Sequence, residues 1–376
     1  MTPQEARSAA TGWLDFVVNR RDLRLTSVEG GPQVADVVVQ PGEVLLRVDR
    51  FGLTSNNVGY AALGEKMDYW SFFPARDGWG QIPVWGFADI ARSRHSELRE
   101  GERLYGYFPM STYLVVPVDK VSRAGFSDGS LHRRDKPALY NRYVRLAADQ
   151  TYNRADDGSI AIFRPLFGTA FLIDDFLASR KFFGAQTIIL SSASSKTAVS
   201  LAFNLTARVG NRPEIVGLTA QDRVPFVQGT GCYDQVVAYE ALGAVAGDQD
   251  AVLVDFAGNA AIVGQVHRHW GSRLRHSAAV GISHWERTAP IKELSGPPPE
   301  FFSSPTYAAK RISDWGPAEF QRRLFEAMQR FLASANRWFR VIERTGLEQV
   351  EATYRVILEG KANPAEGYLT SLHVTG

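Results

Sequence analysis

Residues Ile188-Ile-Leu-Ser-Ser-Ala-Ser-Ser-Lys-Thr-Ala-Val-Ser-Leu201 join a short apolar run to a stretch with helical spacing. A continuous apolar run opening at Gly184-Ala-Gln-Thr-Ile is what a strand buried on both faces requires. In a doubly wound sheet, the turn after such a strand is where a dinucleotide pyrophosphate meets backbone N–H groups and the positive end of a helix. Glycines normally let the backbone come close. This turn has none, and Ser191, Ser192, Ser194 and Ser195 stand in their places. The hydroxyls add donors that glycine lacks, and Lys196 and Thr197 open the helix within reach of phosphate. The same residues also suit a serine-rich helix cap with no ligand.

Working outward, strands and helices alternate. Glu214–Thr219 reads as a second strand, Gln235-Val-Val-Ala-Tyr239 as a third, Ala251-Val-Leu-Val-Asp-Phe256 as a fourth and Ser277-Ala-Ala-Val-Gly281 as a fifth. That pattern predicts a parallel sheet with right-handed crossovers. At the end of the second strand, dinucleotide sites place an acidic residue on the ribose. Here Asp222 comes late and Arg223 follows it; Thr219 and Arg223 suit a 2′-phosphate, which favours NADP(H). Tyr239, Phe256 and Gly281, at the ends of the later strands, complete the expected cofactor-binding set of Ser192, Ser195, Lys196, Thr197, Thr219 and Arg223.

Before residue 150 the texture is different. Pro41-Gly42 punctuates two β-like stretches, Val34–Gln40 and Glu43–Arg50, and further short strands follow around Gly80–Gly86 and Phe87–Arg92, Gly101–Tyr107 and Tyr113–Val118. Short strands with Gly/Pro punctuation favour a small barrel or sandwich. After Ser295-Gly-Pro-Pro-Pro-Glu-Phe-Phe-Ser-Ser-Pro305, which reads as a boundary, Pro317 to Ile342 has the pattern of one long helix. Leu347–Gly360 reads as another, ended by glycine.

Composition narrows the function classes. The chain has 376 residues, 42 Lys+Arg against 40 Asp+Glu, one cysteine (Cys232), and 22 Phe, 13 Tyr and 8 Trp. A near-neutral balance lacks the basic footprint of a nucleic-acid binder. One cysteine excludes a disulfide scaffold and a four-cysteine zinc site. No run is long enough to span a membrane, and the N-terminal stretch lacks the shape of a secretory signal, so a cytoplasmic protein is expected. His267, His269 and His276 are read as solvated or capping residues rather than metal ligands.

These motifs, in order, resemble the medium-chain dehydrogenase/reductase superfamily on its zinc-free, quinone-oxidoreductase-like side, and most closely a family of unknown function, DUF2855. The resemblance rests on Pro41-Gly-Glu-Val-Leu-Leu-Arg-Val, Phe51-Gly-Leu-Thr-Ser-Asn-Asn57, Gly101-Glu-Arg-Leu-Tyr-Gly106, Thr169-Ala-Phe, Asp255-Phe-Ala-Gly258 and the closing Leu347–Ala352 and Glu359-Gly-Lys. It implies an α/β fold with a GroES-like β-rich catalytic domain (1–150, resumed at 301–376) and a Rossmann domain inserted at 151–300. It also implies NADP(H), no metal and a homodimer. The missing loop glycines depart from the family's pattern and put cofactor binding in question.

Zinc-free members transfer hydride to a conjugated carbonyl or quinone, and a donor placed on the oxygen helps. The segment Thr54-Ser-Asn-Asn-Val-Gly-Tyr60 falls where the family has its substrate-facing loop. Tyr60 is the expected carbonyl-oxygen donor and Asn57 its orienter, with Thr54 near the nicotinamide; a helix cap and a packed tyrosine are the structural alternative. The cluster Tyr69, Trp70, Phe72, Phe73 and Trp85 is the expected wall of an apolar pocket, joined by Phe301 and Phe302. His132–Lys136 and Lys310-Arg311 read as solvated faces. The expected function is a metal-independent NADPH-dependent reductase acting on an activated alkene or carbonyl of an apolar or aromatic substrate. The alternatives are a non-catalytic NADP(H) or ligand sensor on the same scaffold, or a reductase for carrier-bound acyl groups that uses Lys310 and Arg311.

Overall fold

The computed structural model describes residues 12–149, 152–210, 212–282, 284–287 and 294–374. The N-terminal stretch read against a secretory signal begins outside them. Thr187–Leu190 is a strand buried along its whole length. It lies between Glu214–Thr219 and Ala251–Asp255 and runs parallel to both. Gln235–Ala238 adds on one side; Leu274–Ala279 and then Glu300–Phe301 add on the other, all parallel. Counted along the chain the order is 3-2-1-4-5-6, the Rossmann arrangement that the family resemblance implied; the alternation had called for a parallel sheet. The two-residue sixth strand falls in the Pro/Ser stretch read as a boundary, where two residues are too few to display a period.

The chain divides into two compact units. One takes the chain through Ile162, then Val341–Ala362 and the stretch from Gly367 on; the other takes Phe163–Arg340 and Asn363–Glu366. The chain therefore returns to the first unit at Val341, not at residue 301. The helices Ser304–Trp315 and Pro317–Ala335 stay with the parallel sheet because their aromatic residues pack there. Phe331 meets Phe163, Phe167 and Phe203. Phe302 meets Phe176 and Tyr307. The long helix expected to reach Ile342 stops at Ala335. Trp338 folds back on Phe203 and Phe331, Phe339 packs on Phe163, and Arg340–Thr345 continues as a strand.

In the first unit, Glu43–Leu53 pairs with Pro83–Ser93, and this with Arg103–Pro109. The ladder continues through Arg142–Arg145, Gly125–Asp128 and Tyr113–Ser122, which pairs back onto Glu43–Leu53. The antiparallel ribbon is thus a closed barrel, and closure removes the exposed edges an open sheet would leave. Glu366–Ser371 extends it along Glu43–Leu53. Val34–Gln40 is not a strand: Val34–Asp36 is a short 3₁₀ turn, and Val37 and Val39 reach Leu45 as packing residues without ladder bonds. The helix Asp157–Ser179 begins on the barrel, where Gly52 would place a Cβ only 2.6 Å from the Ala161 carbonyl oxygen.

Arg103 ties this unit together. Its Nη1 donates to both Asp89 oxygens, its Nη2 to Asp49 at 2.8 Å and Asp157 at 2.6 Å, and its Nε to Tyr152 Oη at 3.0 Å. Burial alone would raise the Asp49 carboxyl, but the Arg103 hydrogen bond and charge outweigh it and hold Asp49 below the usual carboxylate range. Arg103→Met leaves three carboxylates without their shared cation. It is expected to cost about 3 kcal/mol in urea unfolding at neutral pH, the scale for breaking a buried pair. Because the folded Asp49 value is depressed, its contribution is present above the ordinary carboxylate pKa of about 4 and is lost as pH falls through the folded value. The difference between wild type and variant should therefore shrink in acid.

Candidate functional site

The serine turn lies at the C-terminal ends of the parallel strands. Its hydroxyls do different jobs. Ser191 is fully buried; its Oγ donates to Asp255 and accepts the N–H groups of Phe256 at 2.8 Å and Ala257 at 3.1 Å. Asp255 also accepts from Ala257 and Gly258. Burial raises the Asp255 carboxyl, and these donors offset only part of that rise. Ser192 has φ 49, the left-handed region that favours glycine. A non-glycine residue thus keeps the backbone path of a glycine phosphate turn. Ser195 is the helix cap, its Oγ accepting from Ala198 N at 3.3 Å.

Two tyrosines clamp the turn. Tyr239 Oη accepts the Ser192 N–H at 3.0 Å, and Tyr233 Oη donates to the Ala193 carbonyl at 2.7 Å. Gly217, in the second strand, makes room: a Cβ there would stand 2.7 Å from the Tyr233 ring and 3.0 Å from the Ala193 methyl. Tyr239 was expected at the cofactor; the structure puts it on the turn itself. Lys196, expected on the pyrophosphate, instead turns to the carbonyls of Glu366 at 2.6 Å and Pro364 at 3.4 Å, beside the Phe339 ring. Burial lowers its ammonium to about 8. What remains for an anion is the backbone: the first-turn N–H groups of Lys196 and Thr197 have no acceptor within the helix, and Thr197 is only half-buried.

The other expected residues line the same strand ends. Thr219 closes the second strand and is buried. Arg223 follows in the 3₁₀ turn Gln221–Arg223, its Nε donating to Asp222 at 3.1 Å. Phe256 is buried and directly follows the fourth strand; Gly281 donates its N–H to the Asp255 carbonyl at 3.2 Å. Asn259 and His284, not singled out in the sequence, join this rim: their side chains are 3.2 Å apart and the His284 ring lies edge-on to Tyr239.

In the barrel unit, Thr54 and Asn57 form a capping box at the start of helix Ser55–Ala62. Asn57 Oδ1 accepts the Thr54 N–H at 2.8 Å and Nδ2 donates to the Pro83 carbonyl at 3.0 Å. Both ends of the amide are committed, so Asn57 anchors the helix and does not orient Tyr60. The neighbour Asn56 takes that place, its side chain acting on the Tyr60 phenol. Tyr60 is 7% exposed and its Oη accepts from Trp85 Nε1 at 3.3 Å. Tyr69, Phe72, Phe73 and Trp85 gather around it as expected, with Tyr105, Tyr107 and Tyr140. Together they make one packed cluster. Trp70 stands apart, between Gly64 and Gly80 and under Arg20. Phe301 and Phe302 belong to the parallel-sheet unit.

The basic stretch His132–Lys136 is a solvated face only in part: His132, Arg134 and Asp135 are exposed, but Arg133 and Lys136 turn inward. Arg133 is fully buried, over the Phe72 and Phe73 rings, and its Nη2 donates to the Tyr140 carbonyl at 2.6 Å. Lys136 bonds Asp68 and Ser71. Nothing in the local pattern marks this; a charge run reads as solvated until the loop it pins is known. Arg311 is likewise tied down, to Asp175 and Asp314. His267 is buried, bonded to Ser295 and Ser277, and His269 bonds Val245 O. Among the described residues, no three His, Cys, Asp or Glu side chains are placed to hold a metal ion, and no helix is long and apolar enough to cross a membrane.

A GroES-like barrel unit and a Rossmann unit with its phosphate-turn position intact place the chain in the medium-chain dehydrogenase/reductase fold. The family profile described as "Protein of unknown function (DUF2855)" matches residues 51–363, and the chain belongs to that family. A search of curated proteins returns no match. Solved structures share the fold at low identity. CurA of Vibrio vulnificus in complex with NADPH is 13% identical, with TM-score 0.60, over 96% of this chain and 100% of its own. The yhdH oxidoreductase of Salmonella enterica in complex with NADP is 12% identical, TM-score 0.53, over 96% and 100%. A mutant enoyl thioester reductase of Candida tropicalis is 10% identical, TM-score 0.53, over 96% and 99%.

The turn geometry separates its serines by experiment. Ser191→Ala leaves the buried Phe256 N–H without an acceptor and takes a donor from Asp255, while the Ala257 N–H keeps Asp255; it should lower unfolding stability by about 2 kcal/mol. Ser192→Gly suits the left-handed backbone and should be neutral or stabilising by up to about 1 kcal/mol. Urea unfolding of both variants measures the contrast.

Proposed function

We propose that this protein is an NADPH-dependent reductase that needs no metal, and that it reduces an activated alkene or carbonyl on an apolar or aromatic substrate. The observation that carries the reading is the turn at Ser192, which keeps a glycine's φ at the head of a helix and at the strand ends where doubly wound sheets bind dinucleotides. The NADP(H) complexes of the structural neighbours support the same cofactor. The residues fit it in a particular way. Backbone N–H groups of Lys196 and Thr197, with the Ser195 end of the helix, would hold the pyrophosphate. Thr219 and Arg223 would read the 2′-phosphate. Ser191 and the Lys196 ammonium, committed elsewhere, take no part.

NADPH supplies the hydride when bound. The chain's own chemistry lies at Tyr60. Its oxygen accepts the Trp85 N–H, and its own O–H would donate to a substrate oxygen where charge develops. The Tyr60 proton then passes to the substrate, so that one hydride and one proton are added across the double bond, and solvent restores the phenol. The aromatic cluster around Tyr60 supports an apolar substrate.

A second reading, a ligand sensor without chemistry, is favoured by the Tyr239 hydroxyl already sitting on the Ser192 N–H. Titration with NADPH followed by its oxidation across a panel of enones, quinones and aldehydes separates the two. Tight binding with no turnover on any acceptor supports the sensor, and no binding overturns both. Arg223→Ala should weaken NADPH roughly tenfold or more, the worth of a charged hydrogen bond, while leaving NADH nearly unchanged. Equal loss for both removes the 2′-phosphate assignment. Tyr60→Phe should lower turnover about 100-fold, as expected for a lost general acid, with the NADPH dissociation constant unchanged.

A further inference from the structure

Around the Tyr60 oxygen the barrel unit gathers groups that can only donate or that have nothing to donate to. The Trp85 indole N–H already points at it, at 3.3 Å. Tyr107 lies edge-on to the Tyr60 ring with centroids 5.6 Å apart, and Tyr140 lies 5.0 Å from Tyr107 by the same measure. Tyr107 is completely buried, and its hydroxyl has no hydrogen-bond partner. An unpaired buried hydroxyl costs about 1–3 kcal/mol, so its retention at this position calls for a reason.

The ring positions are firmly set. Phe72 stands edge-on to both Tyr107 and Tyr140, at 5.3 Å and 5.7 Å, and Trp85 packs 4.9 Å from Tyr107. Arg133, beneath Phe72 and Phe73, holds the Tyr140 carbonyl. The hydroxyls are thus carried on rings that cannot easily turn away.

We propose that Tyr107 and Tyr140, with Trp85 and Asn56, form a nest of donors that holds the Tyr60 phenolate once its proton has gone to substrate. A neutral phenol already accepting from Trp85 has little left to offer Tyr107. The phenolate exposes further lone pairs, and the orphan hydroxyl then finds its partner. Donors fixed in place before the charge appears need no reorganisation when it does. This inference rests on the reductase reading for its purpose. Tyr107 and Tyr140 are positioning residues: they act on Tyr60 and not on substrate.

The electrostatics agree with the geometry. Burial raises the phenols of Tyr60, Tyr69, Tyr107 and Tyr140. For Tyr60, the neighbouring donors Trp85, Asn56, Tyr107 and Tyr140 all pull the other way. Tyr107 and Tyr140 are pushed well above the usual phenol value, first by burial and then by the neighbouring phenolates. Tyr69 also faces Tyr60 and is raised, and Arg133 is the cation acting on Tyr107.

The test uses full-length protein with difluorotyrosine in place of Tyr60, so that ionisation is read by fluorine NMR at a pH where the fold is intact. In a Tyr107→Phe or Tyr140→Phe background, the ionisation should move up by about one pH unit, a tenfold weaker hold on the anion. The basic limb of the kcat/KM profile of the corresponding unfluorinated variants should move in the same direction, with the NADPH dissociation constant unchanged. Phe73→Leu, which repacks the cluster without removing a donor, should leave the ionisation in place. An unmoved ionisation in both tyrosine variants, or an equal shift in Phe73→Leu, overturns the nest and leaves the reductase reading standing. A shift in the tyrosine variants alone, in a protein that oxidises NADPH with no acceptor, supports the nest and overturns the reductase reading instead.

Discussion

The parallel-sheet unit depends on how one buried hydroxyl is spent. Ser191 Oγ joins the end of the first strand to the turn after the fourth by donating to Asp255 and accepting from Phe256 and Ala257. Those strands are neighbours in the sheet. Their C-terminal ends carry N–H groups that no ladder partner satisfies, and a buried N–H without an acceptor is expensive. The serine supplies the acceptor. With that corner closed, the rest of the turn is held open in the shape of a glycine turn by Tyr233 and Tyr239, each bonded to its backbone. Side-chain oxygens thus replace the conformational freedom that glycines usually provide.

The barrel unit solves the opposite problem. It concentrates polar phenols in an apolar cluster and leaves the Tyr107 hydroxyl there unpaired. Its stability comes from elsewhere, from the closed ladder and from the Arg103 network with Asp49, Asp89 and Asp157. Arg133 and Lys136 press the aromatic loop down through cation–π contacts and hydrogen bonds. With stiffness supplied by charged residues, the phenols need not all serve packing.

Much of this could be read from residue order. The buried run at Ile188, the alternation after it and the punctuated strands before residue 150 led to both units. Tyr60 and the aromatic residues near Tyr69 were brought together as expected. The errors have a common cause. Asn57, Lys196 and Arg133 are polar residues whose partners are backbone carbonyls or N–H groups, or aromatic rings distant in sequence: Pro83 for Asn57, Glu366 for Lys196, Phe72 for Arg133. No local pattern announces such a partner. The return of the chain at Val341 was missed because aromatic spacing at Phe331 and Trp338 does not say which unit the rings will meet.

Hydrophobic periodicity and turn chemistry are local properties, and they were enough to place the parallel strands, most of the helices and the crossover turn. Which serine is consumed, which lysine is turned aside and which tyrosine is left with a free hydroxyl are decided by hydrogen-bond partners across the fold. A polar side chain takes the strongest unsatisfied group within reach, and only the folded chain determines what lies within reach.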